Sequence, residues 1–338
     1  MSHVTRDTEP VIAAIGDRLR LAHLARPRTT DTTRIAIVAD PHVATQSSGT
    51  YRVYHRTEER LETAIETLNE RDLDLVIFPG DLTKDGEPWN YDRVEDLLQR
   101  LDHPSVVIPG NHDVQKRTVE HRCPTPETFA DRFKSESPPF RIDVAGLSVF
   151  VLDSTSGPDG PYADTHRGAI SPDQLEWLDD TLEDASTSVV VTHHNPLPIV
   201  AEPLCLTDTW RPFTMRNRAS LLSVLARHDV PLVLAGHHHV PSLVQADGLT
   251  QLLTPATAMY PQAHCELEID ERGTDVWLVS HASASERAEA YDLAASGPRF
   301  RRLLLELTRQ TLEDAPITQE LRSVEPLGER AHSVEGVR

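Results

Sequence analysis

The sequence predicts an α/β fold, on three observations. β-Branched apolar runs of strand length alternate with amphipathic segments of helical period between residues 35 and 108. Closely spaced short strands recur later, between residues 140 and 152 and again between 242 and 281. Five of the apolar runs end in clusters of carboxylate, amide and imidazole groups: Asp40-Pro41-His42, Gly80-Asp81, Gly110-Asn111-His112-Asp113, His193-His194 and Gly236-His237-His238-His239.

Taken in order, residues 1–33 carry Val11, Ile12, Ile15, Leu19 and Ala22 at helical spacing, so a helical extension packed on the domain is expected there. Residues 35–39 form a β-branched run suited to a central strand. Residues 57–69 read as a helix with Leu61, Ala64, Ile65 and Leu68 on one face, and 73–78 as the next strand. Residues 91–101 read as a second helix and 106–108 as a third strand, a succession that pairs in parallel through right-handed crossovers.

Residues 140–144 and 147–152 flank Ala145-Gly146 as a hairpin. Ser171 and Pro172 suit a cap and a first helical turn, with Leu175, Leu178 and Leu182 as the buried stripe. A strand at 189–191, a helix at 217–228 and a strand at 232–234 follow, then a meander of short strands from 242 to 281. Residues 299–312 read as one helix within a C-terminal appendage. The expected organisation is an extension over 1–33, a main domain over 34–285 and a partly helical appendage over 286–338, in which the helix makes a homodimer plausible.

Composition narrows the class. The chain has 338 residues and is 38% hydrophobic, enough for a sizeable core. No run approaches the ~20 apolar residues of a membrane span, and the polar first ten residues lack a signal segment. A soluble cytoplasmic protein with no membrane partner is expected. The formal charge is −20, with three lysines, Lys84, Lys116 and Lys134, against thirty arginines. Such an acidic surface disfavours nucleic acid as a partner and suits the high-salt cytoplasm of a halophilic source. Cys123, Cys205 and Cys265 are too scattered for a disulfide scaffold or a zinc ribbon.

Each cluster alone has an ordinary structural explanation. Asp-Pro-His and Gly-Asp are common turns, and a His pair is often an exposed or satisfied one. Their joint occurrence at strand ends is what points to a multi-metal site. Ligands of open α/β sheets gather beyond the carboxyl ends of strands. Carboxylates with imidazoles, and no clustered thiolate, suit Mn, Fe, Zn or Co. Long loops at 43–55 and 196–216 follow two of the clusters and carry Tyr51, Tyr54, Trp210 and Phe213, candidates to stack a base.

The five blocks, in this order, make the chain similar to the calcineurin-like metallophosphoesterase superfamily, whose signature is D-x-H, G-D, G-N-H-[DE], a histidine, and G-H-x-H. The resemblance implies a four-layer α/β/β/α sandwich with mixed sheets. It implies that Asp40, His42, Asp81 and His239 hold one metal and Asp81, Asn111, His193 and His237 the other, with Asp81 bridging two divalent or mixed-valence transition ions. His193 is preferred over His194 because relatives place the ligand first in His-His-x-Pro; Asn195 departs from the usual proline. His238 occupies a variable position and is expected to point away. A hydroxide bridging the metals would attack phosphorus in line. His112 would protonate the leaving alkoxide and Asp113 would orient His112. Asp-Pro-His, the 80–86 stretch and the His-His-x-Pro block most resemble class III cyclic nucleotide phosphodiesterases, so a small-molecule phosphodiester is the expected substrate. A phosphomonoesterase, another phosphodiester or pyrophosphate hydrolase, and a non-catalytic scaffold of the same fold are the rivals.

Overall fold

The computed structural model describes residues 18–162, 166–200, 209–210 and 213–317. The chain opens with β1 (Arg18–Leu24) and β2 (Thr33–Ile37), followed by α1 (Thr57–Asn69), β3 (Leu75–Phe78), α2 (Pro88–Leu98), β4 (Ser105–Val107) and α3 (Pro126–Phe133). Next come β5 (Phe140–Val144), β6 (Leu147–Val151), the short pair β7 (Ser156–Gly157) and β8 (Gly160–Pro161), α4 (Pro172–Leu182), β9 (Ser188–Val191), α5 (Arg218–Arg227) and β10 (Leu232–Ala235). The last elements are β11 (Ser242–Ala246), β12 (Leu249–Leu253), β13 (Ala263–Asp270), β14 (Gly273–Ser280), α6 (Ala284–Ala295) and α7 (Arg299–Glu313).

Two six-stranded sheets form, in the orders β1-β14-β13-β2-β3-β4 and β11-β12-β10-β9-β6-β5. The β2, β3 and β4 strands run parallel, as do β6, β9, β10 and β12, while the remaining pairs are antiparallel. Both sheets are therefore mixed, as expected.

Period-two alternation sets the layers. Ile35, Ile37, Leu75 and Ile77 of the first sheet meet Val149, Val151, Val189, Val191, Leu232 and Leu234 of the second in one core. The alternate residues Ala36, Val76 and Phe78 face Leu61, Ile65, Val94 and Leu97 of α1 and α2. On the far side, Phe150, Val190 and Val233 face Leu178, Leu182, Leu221 and Val224 of α4 and α5. The result is helix, sheet, sheet, helix. Ser171 caps α4 by accepting from the Gln174 N–H, with Pro172 at the first turn.

Three expectations are corrected. First, residues 18–24 are a strand, not part of a helix; Val11, Ile12 and Ile15 lie outside the described residues. A bulge between Arg20 and Ala22 interrupts the β1–β14 register, so Leu21 and Ala22 both face the core. That bulge produces the helix-like spacing of Leu19 and Ala22. Second, the meander is divided: β11 and β12 join one sheet, β13 and β14 the other. Third, residues 286–317 are not an appendage. Ala290 of α6 and Leu312 of α7 enter the core between the sheets, and the Ile317 N–H donates to the Leu21 carbonyl. The apolar stripe of α7, with Leu304 and Leu312, is covered within its own chain, which removes the reason for assigning the helix to a dimer. The sequence reading missed α3 and α6. The second is Ala-rich with little apolar contrast between its faces, and a capping box of Ser283 and Glu286 begins it. No helix among the described residues is long and apolar enough to cross a membrane.

Because Ile77 is fully buried between the sheets, Ile77→Ala should lower the unfolding free energy by about 2–5 kcal/mol. Trp89→Ala, at a residue 42% exposed, should move it by less than about 1 kcal/mol. Denaturant unfolding of the two variants measures both.

Candidate metal centre

The parallel strands β2, β3 and β4 of one sheet and β9 and β10 of the other release their chains at the same end of the sandwich. Hydrogen bonds continue past the strand ends: Asp40 N to Gly80 O, His42 N to Asp81 O, Thr192 N to Leu234 O and Gly236 N to His193 O. With Ile108 N to Phe78 O, which extends β4, these bonds carry all five sequence clusters to one place. Gly80 and Gly110 permit it, since a Cβ on either would collide with the backbone of the other turn.

Two groups of side chains have ligating atoms within 4.8 Å of one another: Asp40, His42, Asp81 and His239, and His193, His194 and His237. His42 Nε2 lies 3.0 Å from His239 Nε2, and His239 Nε2 lies 3.3 Å from Asp40 Oδ1. Asp81 lies between the groups, with Oδ2 3.6 Å from His42 Nε2 and Oδ1 3.5 Å from His193 Nε2. Asn111 Oδ1 is 3.0 Å from His193 Nε2 and 2.8 Å from His237 Nδ1. The structure thus brings all seven residues expected to ligate metal together. It adds His194, whose ring packs 4.4 Å from that of His237 and whose Nδ1 is 2.8 Å from Ser154 Oγ. His238 belongs to neither group and faces Trp210 and Phe213.

Proton placement shows what these atoms await. His193 Nδ1 must donate to the Pro79 carbonyl at 2.8 Å, so its Nε2 is a bare lone pair facing the Asp81 carboxylate. His237 Nε2 donates to the His166 carbonyl, which leaves its Nδ1 bare toward Asn111. Acceptors facing acceptors repel unless a cation lies between them. The residues present therefore fit metal ions.

Electrostatics agrees. Burial pushes the Asp40 carboxyl up to about 7, against the attraction of His193. Burial also raises Asp81 and Asp113. The same desolvation holds the His42, His237 and His239 rings far below their usual range, neutral and able to ligate. The backbone is strained at the same positions. Asp40, His42, Asp81, His237 and His239 have φ of 50°, 44°, 54°, 71° and 65°, a region that costs a non-glycine residue on the order of 1–3 kcal/mol.

The surroundings of His112 differ from expectation. The Asp113 carboxylate accepts from the N–H groups of Leu82, Thr83 and Gly110 and from the Thr83 hydroxyl. It ties the β3 and β4 turns together and does not orient His112, because four donors of the neighbouring turns converge on it. His112 Nδ1 meets instead the Lys84 carbonyl at 2.7 Å and Asp85 Oδ1 at 2.9 Å. Lys116 Nζ lies 2.6 Å from that same Asp85 oxygen. Arg52 Nη2 donates to His112 Nε2 at 3.2 Å. Burial, with Arg52 adding and Asp81 opposing, pulls the imidazole down to about 4.

Asp85, Lys116 and Arg52 were not singled out from sequence. One signal was there: two of the three lysines, Lys84 and Lys116, flank Asp85. Of the aromatics in the long loops, Tyr54 is buried and accepts from Arg52, Trp210 is buried, and Phe213 lines the cavity above the two groups. Residues 201–208 and 211–212 of the second loop lie outside the described residues.

The family model described as calcineurin-like phosphoesterase matches residues 33–241. A protein of Synechococcus sp. named a probable cyclic nucleotide phosphodiesterase is 33% identical over 68% of this chain and 82% of its own length. A cAMP/cGMP dual specificity phosphodiesterase of Mycobacterium tuberculosis is 30% identical over 71% of each chain. Among solved structures, a dimetal phosphatase from Danio rerio shares the fold with a TM-score of 0.55 at 16% identity, over 74% of this chain and 99% of that one.

A brace and an orienting group at Asp113 give different results on mutation. Asp113→Ala should leave several buried donors unsatisfied and lower the unfolding free energy by about 3 kcal/mol or more. An unchanged unfolding midpoint with reduced turnover would restore the orienting role.

Proposed function

The chain belongs to the calcineurin-like phosphoesterase family and is a metal-dependent phosphoester hydrolase, and we propose that it hydrolyses 3′,5′-cyclic nucleotides at a two-cation centre. The observation that carries this reading is the Asp81 carboxylate, which turns one oxygen toward His42 and the other toward His193. A carboxylate so placed suits a bridge. Asp40, His42, Asp81 and His239 would hold one cation. Asp81, Asn111, His193 and His237 would hold the other, with His194 beside them. The mixed oxygen and imidazole set suits Mn, Fe, Zn or Co. Cations bound there supply Lewis acidity toward phosphoryl oxygens and lower the pKa of water toward neutrality.

The chain's own residues do the rest. Asn111 contributes a neutral oxygen, so the site does not gather further negative charge against an anionic substrate. His112 rests neutral, its Nδ1–H directed at Asp85 and the Lys84 carbonyl. Its Nε2 accepts from Arg52 at rest and, once that contact opens, takes the proton that the attacking water loses. It then passes that proton to the leaving alkoxide, which balances the hydrolysis. The preference for a cyclic diester is supported by the relatives' names and by the similarity of Asp-Pro-His, residues 80–86 and His-His-x-Pro to that class.

The test is a substrate panel of cyclic AMP, cyclic GMP, a bis-aryl diester and an aryl monoester, run in high salt after chelation and again with Mn²⁺ restored. Chelation should abolish turnover, Mn²⁺ should restore it, and the cyclic diesters should be cleaved faster than the monoester. Preference for the monoester would replace the diesterase reading, and no metal-dependent turnover on any member would leave only a scaffold. Asp81→Ala should empty both positions by elemental analysis, and full metal content would remove the bridge. His112→Ala should keep the metals and lose roughly 10²–10⁴ in rate, most with poor leaving groups. Equal loss for good and poor leaving groups would end the acid role.

A further inference from the structure

The cavity above the two ligating groups has a volume of about 70 Å³, and part of its wall comes from beyond the family-matched residues. Phe300, Arg301 and Leu304 of α7 line it together with Asp81, His112 and Arg52. Arg301 lies over the Tyr51 ring, its guanidinium carbon 4.3 Å from the centroid. Phe300 stacks on Phe213 at 4.9 Å with the rings 7° from parallel. The α7 helix is anchored from behind, since Leu312 enters the core between the sheets.

Arg52 approaches from the opposite loop, where Thr50 and Val53 on either side of it have φ of 64° and 46°. A β-branched residue in that region is strained, and the packed loop holds it there. Arg52 donates to the Tyr54 hydroxyl and to His112 Nε2, and its buried Nε has no partner. Among the described residues, neither Arg52 nor Arg301 forms a direct ion pair, and the charges of Asp40 and Asp81 reach Arg52 only at longer range. That is unusual in a chain with 53 acidic residues against 33 basic ones. Buried Arg60, by contrast, meets Glu286 at 2.7 Å. Burial and the charge of Arg52 lower the pKa of Arg301. Two guanidinium groups sharing a small cavity repel one another until an anion lies between them. Planar guanidinium forks match phosphoryl oxygens bidentately.

We propose that Arg301, reaching in from the last helix, forms with Arg52 a two-guanidinium clamp for the non-bridging oxygens of the substrate's phosphoryl group. The last helix thereby sets substrate affinity. The proposal rests on the phosphoesterase reading, and its test has a readout separate from turnover.

The probe is inorganic phosphate, titrated by calorimetry into the full chain with Mn²⁺ restored, for wild type, Arg301→Gln, Arg301→Lys and Arg302→Gln. Arg302 is exposed on the same helix and serves as the control. Arg301→Gln should keep wild-type metal content and weaken phosphate binding roughly ten- to hundredfold. For the best diester it should raise KM by a similar factor, with kcat changed far less. Arg301→Lys should fall between Gln and wild type, and Arg302→Gln should match wild type. Phosphate binding by Arg301→Gln at wild-type strength would overturn the clamp. If Arg301→Gln does not fold, wild-type phosphate affinity in Arg301→Lys overturns it and weakened affinity supports it. Arg301-dependent phosphate binding without diester turnover would keep the clamp and remove the diesterase reading. Undiminished turnover and phosphate binding in Arg301→Gln would do the reverse.

Discussion

Asp81 is a buried carboxylate with an imidazole nitrogen facing each of its oxygens, that of His193 a bare lone pair, and such a group is costly to bury without a cation. Desolvation opposes its charge, and the main-chain N–H of His112 at 2.7 Å offsets only part of that cost. Much of the neighbouring structure serves to hold it there. The turns at Gly80 and Gly110 approach until no Cβ fits between them. Asp113 ties those turns through main-chain N–H groups. Asp81 and four of the surrounding residues accept left-handed backbone. Strain of this kind persists only where packing over-determines it, and here four helices and two sheets lock the strands that lead into the turns.

Charge is distributed against the bulk composition. The chain carries a formal −20, yet Arg52, Lys84, Lys116 and Arg301 all gather round His112 or the cavity beside it. A recessed cationic mouth concentrates field where a phosphoryl group would arrive. Salt screens the exposed charges far more than the buried ones. High ionic strength would therefore leave the recessed attraction largely intact.

The peripheral elements complete the core. The β1 strand pairs with β14 and seats Leu21 and Leu24 between the sheets, and Ile317 bonds back to Leu21. Arg60 of α1 reaches Glu286 and the His281 carbonyl at the start of α6. The last two helices are thus tied to the same sandwich that presents the ligating groups, and α7 extends from the core to the cavity wall.

The layered fold and the ligating set could be read from the chain, because both rest on local spacing: alternation along Ile35–Ile37 and Leu75–Ile77, and polar clusters such as Gly110–Asp113 directly after a strand. Where local spacing misled, a contact with a distant segment was responsible. The bulge in β1 exists because β14 lies beside it, and Asp113 faces the Leu82 and Thr83 turn instead of its neighbour His112. Arg52 and Arg301 stand 249 positions apart in the numbering, and neither carries a motif. Side-chain type and periodicity are properties of adjacent residues, so the chain carries them openly. The pairing of two charges across a cavity depends on how whole layers pack, and it appears only when the chain is folded.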